Sequence, residues 1–225
     1  MSPWLGMGLV LTHLTLGVVA LHLYQRRCRP SPERVRKLFH VTSGAVGLSL
    51  PFLFQAVWPV ALLGGIVLLG LLAVRWSAGL RDGIGRVIHG IERRSLGDLC
   101  FPVGVLVVFA LAGDSGLRFA VPVLVLTLAD PAAALVGLRY GRHRYCLIGD
   151  PKTLEGSAAF FTVAFGCAAI PLVGVGGQLP SLAAIAAFAL ALTMVEALAP
   201  RGLDNALIPI AGVLAFNPLV DGGLM

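Results

Sequence analysis

The chain has 225 residues, 57% of them hydrophobic and only 12% charged, against roughly 25% charged in a soluble domain. With a mean hydropathy of +0.90, an ordinary soluble enzyme is excluded, and one integral membrane domain covering 1–225 is predicted, with no soluble module. The net charge of +6 would suggest nucleic acid in a soluble protein. Here no basic stretch is interleaved with aromatics, so no nucleic acid is expected as a partner.

A membrane span needs about 20 apolar residues. Such stretches fit at about 3–24, 38–54, 57–74, 99–113, 118–138, 158–176, 180–199 and 204–220. The fold class is therefore all-α, a polytopic bundle of about eight transmembrane helices. Sixteen of the 17 Lys and Arg residues fall in the connections after the first, third, fifth and seventh spans, and only Arg118 lies elsewhere. The positive-inside rule puts those connections in the cytoplasm and both termini outside. The four cysteines are scattered without a Cys-x-x-Cys pair, which argues against zinc and against disulfides.

The first span carries His13 and His22 and no acid, and reads as an anchor. No basic residue precedes it and no small-x-small site follows, so it is expected to be a retained span rather than a signal peptide. Residues 1–30 form this anchor with a basic connection, and 31–220 the catalytic bundle. Ser31, Pro32 and Glu33 have the make-up of an N-cap, a first-position proline and a dipole-compatible acid, so a helix starts there. On it Lys37, His40, Gly44 and Gly47 recur at steps of three and four and share a face. The glycines allow close helix approach, and Lys37 and His40 sit above that seam. Arg26, Arg27 and Arg29 read as membrane-surface anchors; Arg36, Lys37 and His40 read either as anchors or as site residues.

Residues 75–98 are polar enough to leave the membrane core. Ile84, Val87, Ile88 and Ile91 form an apolar stripe with Arg86, His89 and Arg93 off it, predicting an amphipathic helix on the cytoplasmic surface. Glu92 is a weak candidate partner for a cation of the site. The fifth span ends in LADPAAALVGLRYG, with Asp130 embedded among apolar residues. A carboxylate in such a place is costly and marks a functional position. Ala134, Gly137 and Gly141 follow on its face, providing either tight helix packing or room for a base or phosphate chain beside it.

The next loop carries Arg139, Arg142, Arg144, Lys152 and Glu155. Asp150 to Thr153 is expected to cap the sixth span, whose first-turn amides, with Lys152 and the Thr153 and Ser157 hydroxyls, would make an anion pocket. The residues before Lys152 do not fit GxxxxGK[ST], so this is not a P-loop. Glu196 is placed before the seventh helix leaves the membrane, near Arg201, and Asp204 or Asn205 begins the eighth span as an N-cap.

Asp130, Glu155, Glu196 and Asp204 are hard oxygen donors beside cations, which suits magnesium on a polyphosphate. Phosphoryl transfer asks for metal across the phosphates, cations on the developing charge and a carboxylate that orients the attacking hydroxyl. Asp130 and Glu155 are the expected metal ligands; Lys152, Arg36 and Lys37 neutralise phosphate. Asp130, Glu196 or Asp204 orients the hydroxyl. A site opening sideways between spans is reached from the bilayer, so the acceptor is expected to be a lipid.

RKLFH (Arg36 to His40), ADPAAALVGLRYG (Ala129 to Gly141), KTLEGS (Lys152 to Ser157) and VEALAPRGLDN (Val195 to Asn205) together resemble the polyprenol kinase family, which includes dolichol, phytol and CTP-dependent diacylglycerol kinases. The resemblance implies a multi-spanning enzyme that uses CTP and a divalent metal to phosphorylate a lipid hydroxyl. It implies nucleotide binding by Asp130, Gly137, Gly141, Lys152, Glu155 and Gly156, with Arg36 and Lys37 also required. His40, Arg142, Thr153, Ser157 and Asn205 complete the candidate nucleotide site. CTP as donor rests on the resemblance, since nothing in the spacing selects cytosine. Two other readings compete: a cytidylyltransferase acting on a lipid phosphate, whose Lys-Asp, His-Gly-Gly and Asp-Arg run is not found here, and a lipid transporter or scaffold.

Overall fold

Helix α1 (Pro3–Cys28) begins where its sequence supplies a cap. The Ser2 hydroxyl accepts from the Leu5 N–H at 3.3 Å, Pro3 takes the first helical position, and Arg26 and Arg27 oppose the negative end of the helix dipole. This computed structural model describes residues 1–77, 79, 96–148, 150–175 and 180–220. His13 Nδ1 bonds the Leu9 carbonyl one turn back at 2.8 Å, the structural role expected of an isolated histidine in an anchor.

The second predicted span is instead two helices, α2 (Pro32–Gly47) and α3 (Leu50–Leu53). Pro51 has no N–H to give the Gly47 carbonyl and its ring clashes there, so the α2 ladder stops at Gly47. Ser31 occupies the N-cap position of α2 but makes no side-chain cap bond. Helix α4 (Val57–Trp76) follows, then α5 (Gly97–Ala112) and α6 (Gly116–Leu124). The expected amphipathic helix around 84–91, with Arg86, His89, Glu92 and Arg93, lies outside the described residues.

From α6 the chain continues through a π-helical turn, Val125–Ala129, into α7 (Asp130–Tyr140). The connection then forms two short antiparallel strands, β1 (Arg144–Tyr145) and β2 (Lys152–Thr153), with Arg144 opposite Thr153 and Tyr145 opposite Lys152. They give way to α8 (Leu154–Val175), α9 (Leu182–Leu198) and α10 (Asp204–Val220). Within the expected capping stretch Asp150 to Thr153, it is Thr153 that caps α8: its Oγ1 accepts from the Gly156 N–H at 3.1 Å.

Four of the described helices are long and apolar enough to cross a membrane: Pro3–Cys28, Val57–Trp76, Gly116–Tyr140 and Leu154–Val173. Helices α5, α9 and α10 are apolar but have 16 or 17 residues, and α2 is shorter and more polar than a span. The all-α membrane bundle expected from the sequence is present, whereas the count of eight spans is not reached on length and composition.

Two apolar clusters hold the bundle. Val121, Leu126, Phe160, Phe188, Ile208 and Phe216 join α6 and the π turn to α8, α9 and α10. Met7, Leu50, Val60, Val105, Phe119 and Val213 join α1, α3, α4 and α5 to α6 and α10. Where helices meet most closely, glycine leaves the space. A Cβ on Gly104 of α5 would sit 2.6 Å from the Asn205 carbonyl oxygen, and one on Gly44 of α2 would strike the Thr127 side chain. Gly44 therefore makes the expected seam. Gly47 does not, since a Cβ there meets only ordinary contacts at 3.9 and 4.0 Å.

Candidate active site

The first turns of α2 set Glu33, Arg36, Lys37 and His40 on neighbouring faces. Lys37 Nζ donates to Asp130 Oδ2 at 2.6 Å, and both side chains are buried. His40 Nε2 donates to the Leu126 carbonyl at 2.8 Å, lies 3.8 Å from Asp130 Oδ2, and packs edge-on against Phe101 at 5.1 Å. The π turn explains why the Leu126 oxygen can be reached. Widening the helix just before Pro131, which has no N–H, loosens the i→i−4 ladder, and the histidine of α2 takes the exposed carbonyl. Arg36 is held by Glu33 through two bonds of 3.0 and 2.6 Å.

A second lysine–carboxylate pair, with Glu196 buried and Lys152 half-buried, lines the same cavity. Lys152 Nζ, on β2, donates to Glu196 Oε1 and, at 2.9 Å, to the Glu196 backbone carbonyl. The other carboxylate oxygen, Glu196 Oε2, is buried without a partner among the described residues. Burial alone would lower the Lys152 pKa, yet the Glu196 charge and hydrogen bond outweigh it and hold the lysine above its ordinary value. Glu196 lies in the last turn of α9, and the chain reverses through Arg201, at φ 52, and Gly202, at φ 89. The Leu96 N–H bonds the Arg201 carbonyl at 2.9 Å and ties this turn to the start of α5. Asp204 then opens α10, its Oδ1 accepting from the Asn205 N–H at 3.0 Å. Asn205 Nδ2 donates to the Gly97 carbonyl at 2.7 Å. This fastens α10 to α5, so Asn205 serves as a helix-to-helix tie and not as an N-cap.

These groups line one cavity of about 850 Å³. Lys37, Asp130, Lys152, Glu196 and Asp204 face it from α2, α7, β2, α9 and α10, with Arg36 and Asn205 at its edge. Arg144 and Arg201 add positive charge, and Glu33 and Asp150, read from the sequence only as helix-start residues, add negative. Gly137, Gly141, Thr153, Gly156 and Ser157 also line it, but the glycines answer the question left open by their spacing in favour of packing. A Cβ on Gly137 would lie 2.8 Å from Thr153 Oγ1, one on Gly156 would lie 2.9 Å from both Thr153 Oγ1 and the Ala133 oxygen, and one on Gly141 would strike Thr153. They bring β2 and the start of α8 against α7. The Ser157 hydroxyl is already bonded to the Tyr145 hydroxyl at 2.6 Å.

Three expected site residues are not part of this lining. His40 faces the neighbouring apolar cavity. Arg142 lies in the exposed loop before β1. Glu155 accepts from His143 Nδ1 at 2.8 Å and from the His143 N–H at 3.3 Å, because the β1–β2 pair folds the loop back over the first turn of α8. Glu155, expected to share a metal with Asp130, does not line the cavity with it, whereas Glu196 and Asp204 do. Among the described residues no cluster of three His, Cys, Asp or Glu side chains could hold a metal unaided.

Fold and cavity together define a helical membrane-type protein with two lysine–carboxylate pairs facing one chamber lined by charges of both signs. In sequence the chain is 27% identical over 224 residues to a phytol kinase of Synechocystis sp., a match covering 94% of this chain and 90% of that protein. This chain is related to the polyprenol and phytol kinases, the family its motifs resemble. No protein-family model matches it, and no solved structure matches it.

Proposed function

We propose that the chain is a lipid kinase that transfers the γ-phosphate of CTP to the hydroxyl of an isoprenoid alcohol, such as phytol, geranylgeraniol or a polyprenol, or of diacylglycerol, at the cytoplasmic membrane face. The observation that carries this reading is the meeting of Lys37–Asp130 and Lys152–Glu196 in one chamber with Asp204, Arg36, Arg144 and Arg201. Buried charges of both signs at one point suit a polyanion that brings its own counter-cation. The relative's name, phytol kinase, supplies the class of acceptor.

Magnesium fits the donor set. It is ordinarily held by one or two carboxylates together with substrate phosphates rather than by a protein cage, and Asp130 and the unpartnered Glu196 Oε2 are hard oxygens of that kind. Bound there, the ion would neutralise phosphate charge and bridge nucleotide to protein. Lys37, Lys152 and Arg36 hold the triphosphate. Asp204 orients the acceptor, because it adjoins Asn205, which also lines the apolar cavity beside the chamber. In the transfer the alcohol oxygen bonds to the γ-phosphorus, the bond from that phosphorus to the β–γ bridging oxygen breaks, CDP leaves, and the hydroxyl proton passes to the Asp204 carboxylate.

The test is label transfer by purified protein with magnesium and a panel of alcohols. Label from γ-labelled CTP in the lipid is expected. Label from α-labelled CTP in the lipid would show nucleotidyl transfer instead, and no nucleotide consumption would leave a transporter or scaffold. Asp130→Asn is expected to insert normally and lose roughly 100-fold or more in turnover. Asp204→Asn should lower kcat by about 10²-fold or more with a smaller change in the KM for CTP. Normal turnover by Asp130→Asn removes the central assignment.

A further inference from the structure

Beside the charged chamber lies a second cavity, of about 410 Å³, lined mainly by α1, α2, α4 and α5. Its walls are almost wholly apolar, with Val10, Leu14, Val60, Leu63, Val67 and Val105 among them. The charged side chains gather at one end with His40 and Asn205, and two hydroxyls, of Thr15 and Ser43, lie further along. Arg36 and His40 come from the start of α2, Asp98 from the start of α5, and Asn205 from the start of α10. Arg36 and Asn205 also line the charged chamber, so the two cavities meet between these residues. Along α2 the lining runs from Arg36 to Gly47 and on to Leu50, and Arg36 to Gly47 alone spans about 16 Å of helix axis.

We infer that this cavity is the channel for the hydrocarbon chain of the acceptor alcohol, and that Gly64 on α4 sets how long a chain it takes. The inference rests on the lipid kinase reading of the adjoining chamber. An elongated apolar slot ending in a doorway to a phosphate-binding chamber is complementary to an amphiphile with one hydroxyl at the tip of a long chain. A chain seated with its hydroxyl between Arg36 and Asn205 delivers that hydroxyl next to Asp204. A bulky two-chain lipid matches a single slot less well, which favours a linear isoprenoid alcohol over diacylglycerol.

Gly64 is buried, lines the slot, and a Cβ added to it meets nothing within 4 Å. Its missing side chain is therefore space in the slot, not a close approach to a neighbouring helix. Gly65 also has nothing within 4 Å of an added Cβ and is not part of the lining. The two adjacent glycines form a matched pair for a test in which helix propensity and added bulk are the same.

The experiment compares Gly64→Leu and Gly65→Leu with the wild type across alcohols of 10, 15 and 20 carbons, reading kcat/KM for the alcohol and KM for CTP. Burying a methylene is worth roughly a fourfold change in affinity. Gly64→Leu is thus expected to lose about tenfold or more with the 20-carbon alcohol and to keep its activity with the 10-carbon one, at unchanged KM for CTP. Gly65→Leu should keep the wild-type profile. A second measurement needs no turnover: a 20-carbon alcohol with a diazirine at its far end should label residues 46–50 and 60–67, and Gly64→Leu should remove that label. A profile for Gly64→Leu that matches wild type, or one that shifts equally in Gly65→Leu, overturns the channel while leaving the kinase reading intact. Labelling confined to Leu69 or Leu16, which face outward, would place the chain in the bilayer outside the slot and overturn it as well. No transfer to any alcohol, with the label nonetheless in the slot, overturns the kinase reading and leaves a lipid-binding channel.

Discussion

Lys37 and Asp130 are 93 residues apart in the chain and 2.6 Å apart in the fold, both shielded from solvent. A pair of this kind adds little net stability, but losing one partner leaves an uncompensated buried charge that costs about 3–5 kcal/mol. Lys37→Met is therefore expected to lower the unfolding temperature in detergent sharply. The double variant Lys37→Met/Asp130→Asn should recover most of that loss and regain no turnover. Recovery of stability without activity separates the structural role of the pair from its chemistry; recovery of both would show that the pair is structural only. For Lys152 the sign runs the other way from a carboxylate. Its pKa is raised over the ordinary 10.5 by Glu196, so the bridge is fully formed below that value and is lost only as pH rises through the raised one. The KM for CTP is expected to stay level up to about pH 10, and Glu196→Gln should bring its alkaline rise to lower pH. An unchanged alkaline limb in Glu196→Gln would exclude Lys152 as a phosphate-binding cation.

At the scale of elements, the site depends on how closely helices are allowed to approach. Gly104 lets α5 touch the first turn of α10 where Asp204 and Asn205 are set. Gly104→Ala places a methyl 2.6 Å from a backbone oxygen, a contact that only a shift of α10 relieves, at roughly 1–3 kcal/mol. The variant should unfold at lower temperature and lose activity beyond what its unfolded fraction explains. Gly8→Ala is the control: its added Cβ meets nothing within 4 Å, so the exchange should stabilise α1 by up to about 1 kcal/mol. Equal stability in the two variants would contradict the packing described. The π turn, by contrast, offers no hydrophobic pattern to read. Pro131 next to Asp130 shows that a helical N–H is missing, but whether the helix breaks, kinks or widens there depends on His40 arriving from α2 to take the Leu126 carbonyl.

For the whole molecule, cations from the first turns of α2 and from the connections after α7 and α9 line one chamber: Arg36 and Lys37 with Arg144, Lys152 and Arg201. Cys28, exposed at the end of α1, reports on which side that end lies, while Cys167 is buried and serves as an internal blank. In cells and inverted vesicles a membrane-impermeant maleimide is expected to reach Cys28 only from the cytoplasmic side and to leave Cys167 unmodified under both conditions. Reaction from the outer side would reverse the topology and place the chamber away from cytoplasmic nucleotide.

Composition and the spacing of apolar runs were enough to read a membrane-type helical bundle, because lipid leaves the backbone no option but to pair within its own helix. Asp130 and Glu196 stand out in the sequence for a related reason, since ionisable groups in apolar runs are too costly to be incidental, while Lys152 and Asp204 stand out only as charges of the loop and the helix start beside them. The partners of those groups were not legible. That Lys37 meets Asp130 and Lys152 meets Glu196, that Glu155 turns back to His143, and that Gly137, Gly141 and Gly156 pack around Thr153 depends on distances between segments many residues apart. Those distances arise only when the helices close on one another, and a charge pattern along the chain is compatible with many such closures. The same holds for the apolar slot: every helix of a membrane bundle has an apolar face, and it takes the packed arrangement to show which faces leave a space, and that Arg36 and Asn205 stand where it opens onto the charged chamber.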